Sequence, residues 1–480
     1  MTRLRPYLGT LLALGGGVAA FLGMVIPSLW FLPILGVLGY FASTTRSSSS
    51  KVALGHGLLF GVLASMGGVW WFWDTLPLTW ILIPEGPIQF FLVGIVYSLT
   101  VVSLALPLAL VAPLIRRIPA RWYRPFVFAF AYIGLEELRM WSFALFFLAP
   151  ESMLAPNFSV AGLGYVLTES ALFLPLAQAG HYGLHGFLAL LSATLLERKR
   201  LPLLLGASVL LLSLLVAYAT LPTEHEGSTV RVGLISSYAP PGPFVLPNLI
   251  IAPLQEAAKR GAEVIVTPEG LGLAPFLDQE ARHRFYETLF AERNGLVISS
   301  SIVREENGNE HAELTYETPQ EGIIGSQHKI FFVPVGEYLP PLIRIAIAAA
   351  GKENLNGYGS YIAGRAVAGS SITSTEYAGT RFGALLCSEL LSPRLYARLA
   401  ATDTDLLLNL ANNSWFHGSH LLHDRLQQLA KTHALRNRQY VLVAANGSPA
   451  YAVNARGSVI GETLWGTPEV LMVDVPLPAN

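Results

Sequence analysis

The sequence predicts a polytopic helical membrane domain followed by an α/β domain outside the membrane, and three observations lead there. The 480 residues are 52% hydrophobic and only 13% charged, against roughly 25% charge in ordinary soluble domains. Up to Leu221 charges are sparse and apolar runs are long, whereas from Pro222 onward the chain reads as strands and helices of an α/β sequence. Between the two, Pro222-Thr-Glu-His-Glu-Gly-Ser228 is polar and rich in turn residues, as a linker is. The expected division is residues 1–221 for the membrane domain, 222–228 for the linker and 229–480 for the second domain. A net charge of −1 provides no basic face for nucleic acid, and one cysteine cannot form an internal disulfide.

About seven segments are apolar enough to cross a bilayer core, at about 20 residues each. They lie near Leu8–Val25, Leu29–Ala42, Val52–Trp73, Ile88–Leu114, Phe126–Leu148, Ala171–Leu196 and Leu201–Thr220, the second being short. Arg3 and Arg5 before the first run would also suit a signal peptide, but further spans follow at once. Basic residues set the orientation. Arg3 and Arg5 precede the first span, Arg46 and Lys51 follow the second, Arg116, Arg117, Arg121 and Arg124 the fourth, and Arg198, Lys199 and Arg200 the sixth. The alternate loops Asp74–Pro87 and Ala149–Ser170 hold no Lys or Arg. The positive-inside rule then puts the N-terminus in the cytoplasm and everything after Pro222 outside it. Trp70, Trp71, Trp73 and Trp80 fall where the third span leaves the bilayer, as an interfacial belt would. Glu136, Glu137 and Arg139 interrupt the fifth run, either as an internal ion pair or as a substrate contact.

In the second domain, strands are expected at 230–235, 263–267, 295–302, 329–333, 381–386, 405–410, 440–444, 450–453 and 469–475, with helices at 246–260, 395–401 and 423–436. A two-sheet sandwich flanked by helices fits that order. Asn354–Ser374, rich in Gly, Ser and Tyr, is a long loop of the kind that serves as a lid or binding loop.

The chemistry converges on Phe382-Gly-Ala-Leu-Leu-Cys387-Ser-Glu389-Leu-Leu-Ser-Pro393. Phe382–Leu386 reads as a buried strand, and Ser392-Pro393 as an N-cap with proline in the first helical position. Cys387 then lies on the connection, where a side chain can face a pocket. A lone cysteine is more often a small buried hydrophobe than a nucleophile; Glu269 and Lys329 change that balance. Glu269 follows the strand 263–267 in Thr267-Pro268-Glu269-Gly270, at a sheet edge, and Lys329 stands in an aromatic and apolar context. His417, His420 and His423, which follow Trp415-Phe416, have a spacing seen in zinc sites.

The order Glu269, Lys329, Cys387, with gaps of 60 and 58 residues, resembles the triad of the nitrilase superfamily. Thr-Pro-Glu269, Lys329-x5-Val-Gly-Glu337-Tyr-Leu-Pro, Cys387-x-Glu389-x-x-x-Pro and Asn409-Leu-Ala-Asn412-Asn-Ser-Trp415-Phe416 resemble more closely the bacterial apolipoprotein N-acyltransferase family, as does Glu136-Glu-Leu-Arg139-Met-Trp141. The resemblance spans nearly the whole chain. It implies a nitrilase-like αββα sandwich on a multi-pass domain of the bacterial inner membrane, with no cofactor and no metal. It implies Cys387 as nucleophile, Glu269 as general base and Lys329 as oxyanion stabiliser, supported by Glu337, Ser388, Glu389, Asn412 and Trp415. The implied reaction moves an acyl chain from a phospholipid, through a thioester, to the α-amine of a diacylated apolipoprotein. A membrane-anchored amidase or hydrolase, or a non-catalytic lipid- or lipoprotein-binding relative, are the alternatives.

The sequence departs from the family pattern at several places. Ser388 stands where an aromatic residue is usual, and Val441–Asn446 lacks a basic residue. The Ser236–Pro247 loop offers Tyr238 and Phe244 but no tryptophan, Ala149–Ser170 is longer than expected, and no apolar span follows Val475.

Overall fold

The computed structural model describes residues 7–81, 85–223, 227–241, 247–291, 293–349 and 366–477. Helices α1 (Leu8–Val25), α2 (Leu32–Thr45), α3 (Ser50–Gly68), α4 (Pro87–Arg116), α5 (Arg124–Phe146), α6 (Gly180–Leu195) and α7 (Arg200–Ala219) stand on the seven apolar runs. Of these, α1, α3, α4 and α7 are long and apolar enough to cross a membrane. The 14 residues of α2 and 16 of α6 are fewer, and α5 carries Glu136, Glu137 and Arg139. Two runs break earlier than their hydropathy suggests. Helix α3 stops at Gly68 and Trp70–Thr75 continues as a 3-10 turn. Leu174–Ala179 is likewise a separate 3-10 turn, ended by Gly180 at φ 65°.

Small residues let α1 and α2 pack backbone to backbone. A Cβ on Gly16 would lie 2.8 Å from Gly36 O, and one on Gly39 2.7 Å from Leu12 O. Of the charges of α5, Glu136 and Arg139 form an internal ion pair, while Glu137 Oε1 lies 3.0 Å from His181 Nε2. Arg139 Nη1 donates to Glu136 Oε2 at 2.6 Å, and the same guanidinium donates to Leu104 O at 3.1 Å and Ala161 O at 3.3 Å. The tryptophans divide: Trp70 is exposed, whereas Trp71 is buried and meets Phe416 of the other half edge-on at 5.2 Å. Trp71 therefore helps seal the two halves together instead of lying in a lipid belt.

The second half is an αββα sandwich. One sheet has the order β5 (Gly322–His328), β4 (Glu310–Thr318), β3 (Leu296–Arg304), β2 (Val264–Val266), β1 (Thr229–Ser237), β12 (Glu469–Pro476). The other runs β6 (Thr375–Tyr377), β7 (Thr380–Leu386), β8 (Leu406–Asn412), β9 (Tyr440–Asn446), β10 (Tyr451–Val453), β11 (Val459–Glu462). They join where Ser236 and Ser237 pair with Ala445 and Asn446. The period of two divides each strand between layers. Val232, Leu234 and Ile298 pack inward against Ala384, Leu386, Leu408 and Leu442. Outward, Ile265 and Val297 meet α8 (Asn248–Lys259) and α9 (Gln279–Phe290). Leu385, Leu407 and Val441 meet α11 (Pro393–Ala400) and α12 (His420–Asn437), in a cluster that continues into the membrane half.

Lys329–Val333 is not the expected strand. The ladder ends at His328, and after Lys329 N donates to Ala312 O at 2.8 Å the next amides turn to a side chain, Glu389. Strands β4, β5, β6 and β11, helix α9 and the short helix α10 (Pro341–Ala349) are additions to the expected elements. Residues 354–365 of the anticipated lid loop, 224–226 of the linker and Phe244 lie outside the described residues.

Candidate active site

Three segments meet at one end of the sandwich. Glu269 follows β2, where Thr267 N donates to Ile298 O at 3.0 Å as the last ladder bond, and Gly270 turns the chain away at φ 74°. Lys329 follows β5 and is clamped on both sides of its peptide: its N–H bonds Ala312 O, and its carbonyl accepts Gly369 N, each at 2.8 Å. Cys387 follows β7 and opens the 3-10 turn Cys387–Leu391, with φ 41°. That left-handed conformation is strained for a residue with a Cβ and persists only where surrounding bonds over-determine it. Ser392 Oγ accepts Leu395 N at 3.2 Å and Pro393 opens α11, as the Ser-Pro pair predicts.

The Lys329 ammonium, 1% exposed, donates to Glu269 Oε1 and to Glu337 Oε1, both at 2.8 Å. Glu337 is itself held, its Oε2 accepting Val333 N at 2.6 Å. Burial alone would lower the lysine; the charges of Glu269 and Glu337 outweigh it and hold the ammonium well above its ordinary pKa. Burial raises Glu337, with Glu269 adding and Lys329 opposing. Burial, helped by Glu269 and opposed by Lys329, also pushes the Cys387 thiol up. The resting sulfur is therefore a thiol, donating to Asn412 O at 3.7 Å, and an attack through it needs a base at hand.

Ser388 and Glu389 lock the cysteine turn to the lysine segment. Glu389 Oε1 accepts Ile330 N at 2.6 Å and Phe331 N at 3.3 Å, while Oε2 accepts Leu386 N at 2.7 Å. Ser388 Oγ donates to Phe331 O at 2.6 Å. Serine in place of an aromatic thus serves as a tie. Burial pushes Glu389 up to about 7, against the pull of those amides.

Asn412 closes the far side, its Oδ1 accepting Ser414 Oγ at 2.7 Å and Asn446 Nδ2 at 3.1 Å. Trp415 stands half-buried in the next turn, Ser414–Phe416. Two asparagines escaped the sequence reading as individual residues. Asn409 Nδ2 reaches Leu385 O at 3.2 Å and Cys387 O at 3.4 Å, and Asn446 ties the ends of β1 and β9 through Ser237 and Ala239. Their signal was a fully buried amide within a run of leucines and a second one ending an apolar strand. The three histidines go to separate partners: His417 Nε2 to Pro77 O, His420 onto Trp465, and His423 Nε2 to Glu462 at 2.7 Å. Among the described residues no group of His, Cys, Asp and Glu has the arrangement of a metal site.

Residues 248–479 match the carbon-nitrogen hydrolase family. Proteins named apolipoprotein N-acyltransferase align along nearly the whole chain. The one from Geobacter metallireducens is 25% identical over 471 residues, covering 92% of this chain and 83% of the relative. The one from Azotobacter vinelandii is 25% identical over 484 residues, covering 94% and 86%. An amidase structure from Nesterenkonia sp. superposes with a TM-score of 0.38 at 17% identity, covering 54% of this chain and 94% of the amidase. Along nearly its whole length the chain is thus similar to proteins named apolipoprotein N-acyltransferase, and the part that matches the carbon-nitrogen hydrolase family follows an apolar helical half.

Proposed function

We propose that this protein is an apolipoprotein N-acyltransferase working through a thioester on Cys387. The observation that carries the reading is the Lys329 ammonium fixed at 2.8 Å from both Glu269 and Glu337, on a segment bonded directly to the cysteine turn. Cys387 Sγ attacks the ester carbonyl carbon of a phospholipid as Glu269 takes the thiol proton. Negative charge gathers on the carbonyl oxygen, where Lys329 stabilises it. The intermediate collapses by breaking the carbon–oxygen bond, Glu269 returns the proton to the glycerol oxygen, and a lysophospholipid leaves. The α-amine of a diacylglyceryl-cysteine at a lipoprotein N-terminus then attacks the thioester. Glu269 takes a proton from the nitrogen, the carbon–sulfur bond breaks, and the sulfur recovers its proton as the amide departs. Both substrates are anchored in a bilayer, so attachment to a membrane half supplies proximity.

The same reading assigns residues 1–221 to the inner-membrane domain, 222–228 to a linker and 229–480 to a catalytic domain outside the cytoplasm. Cysteines introduced into the 116–124 and 149–170 loops of a Cys387→Ala chain test the topology. An impermeant thiol reagent added to intact cells should label the second loop alone, and the reverse pattern would invert the orientation.

The chemistry is tested by intact-protein mass spectrometry after incubation with phospholipid. A gain of one acyl chain, removed by hydroxylamine and absent in Cys387→Ala, is expected. Adding a diacylated lipopeptide should discharge it as an amide; discharge to free fatty acid alone would make the protein a hydrolase. No adduct at all would leave lipid or lipoprotein binding as its function.

A further inference from the structure

The longer-than-expected loop 149–170 reaches out of the membrane half and grips the cysteine turn. Ser159 Oγ donates to Leu391 O at 2.7 Å and Ser159 N donates to the same oxygen at 3.2 Å. Two residues earlier, Asn157 Oδ1 accepts Ser392 Oγ at 2.8 Å, and Ser392 caps α11. Asn157, Ser159 and Ser392 are all buried, so water cannot stand in for these bonds. The loop is anchored in turn, since Phe158 stacks on Phe143 at 3.9 Å and Ala161 O accepts from Arg139.

Leu391 is the last residue of the turn that Cys387 opens. The final carbonyls of a helical turn have no partner within it and are satisfied from outside. Here His433 Nε2 takes Leu390 O at 2.8 Å, and Ser159 takes Leu391 O. Glu389 holds the other end through Leu386 N. A nucleophile with φ 41° keeps its direction only if both ends of its turn are fixed.

We propose that Ser159, assisted by Asn157, is a positioning residue: the membrane half holds the carbonyl end of the Cys387–Leu391 turn and thereby aims Cys387 Sγ. The proposal rests on Cys387 being the acylated nucleophile. It makes the two halves one catalytic unit, with part of the reactive geometry set by a loop between α5 and α6.

The test follows thioester formation on the full-length protein in lipid nanodiscs, comparing Ser159→Ala with wild type and Ser159→Thr. Losing one hydrogen bond to a buried carbonyl should slow the first-order step about tenfold at saturating phospholipid. The phospholipid concentration at half-saturation and the final one-acyl amplitude should not change, and threonine should restore the rate. Asn157→Leu should slow the step in the same way and Asn157→Asp should not. A lower amplitude with an unchanged rate would mean that the loop only holds the fold together, which overturns the proposal. An unchanged rate and amplitude in Ser159→Ala and Asn157→Leu would overturn it too. If wild type itself forms no adduct, the nucleophile assignment falls first and the positioning role with it.

Discussion

Glu389 and Ile330 are joined across 59 positions of sequence by a hydrogen bond of 2.6 Å, from the Ile330 N–H to Glu389 Oε1. One carboxylate thereby fixes the segment that carries Lys329 against the turn that carries Cys387. Its titration is displaced, because burial pushes it from 4.5 up to about 7. The folded chain then binds this proton more readily than the unfolded chain does. The stabilisation it contributes is full below pH 4.5 and is lost as pH rises through about 7. The thermal midpoint of wild type, relative to Glu389→Gln, is therefore expected to fall between those limits. A pH-independent difference between the two proteins would contradict it.

Lys329→Met removes the only cation hydrogen-bonded to Glu269 and Glu337 among the described residues. Two effects should separate. Loss of an oxyanion donor should slow acylation of Cys387 by about 10²–10³-fold. The two carboxylates left facing each other should lower the thermal midpoint, and the deficit should shrink as the pH falls and one of them protonates. A variant that acylates at the wild-type rate would remove Lys329 from the oxyanion role.

Part of this site was legible in the sequence, for physical reasons that differ by residue. Cys387 stood out because a unique polarizable side chain followed an apolar strand and preceded Ser-Pro. Glu269 stood out because Pro268 ended a strand before it. Lys329 was noticed as a charge among aromatics, but its segment was read as a strand. Nothing local reveals that the Ile330 and Phe331 amides bond a carboxylate instead of a neighbouring strand. The grip of Ser159 on Leu391 was hidden for the same reason, since its partner lies 232 residues away. The spans were found by run length alone, while breaks such as Gly68 and Gly180 depend on close packing and backbone conformation that hydropathy does not register.

The backbone of Cys387 provides a prediction that separates function from stability. Both Cys387→Ala and Cys387→Gly remove the thiol, yet only glycine relieves a φ of 41°. The glycine variant should be the more stable of the two by about 1 kcal/mol. Chemical or thermal unfolding of the pair checks this, and an equal or lower midpoint for glycine would show that the turn is unstrained. A positive result would mean that the fold sacrifices stability at the position where it presents its only thiol.

The Glu136–Arg139 pair provides the last prediction, because each partner is costly to bury alone. Arg139 is 2% exposed and Glu136 5%, and the guanidinium also serves Leu104 O and Ala161 O. Arg139→Met leaves a buried carboxylate without its counter-charge and should destabilise by about 3–5 kcal/mol. Removing the charge of both, in Glu136→Leu/Arg139→Met, should recover part of that loss, leaving the deficit from the two undonated carbonyls. A double-mutant cycle on unfolding in detergent measures the coupling. Strict additivity would show that the two charges do not depend on each other. Because Ala161 O lies in the loop that holds the cysteine turn, Arg139→Met should also slow Cys387 acylation, whereas Glu136→Gln, which keeps the guanidinium in place, should slow it less.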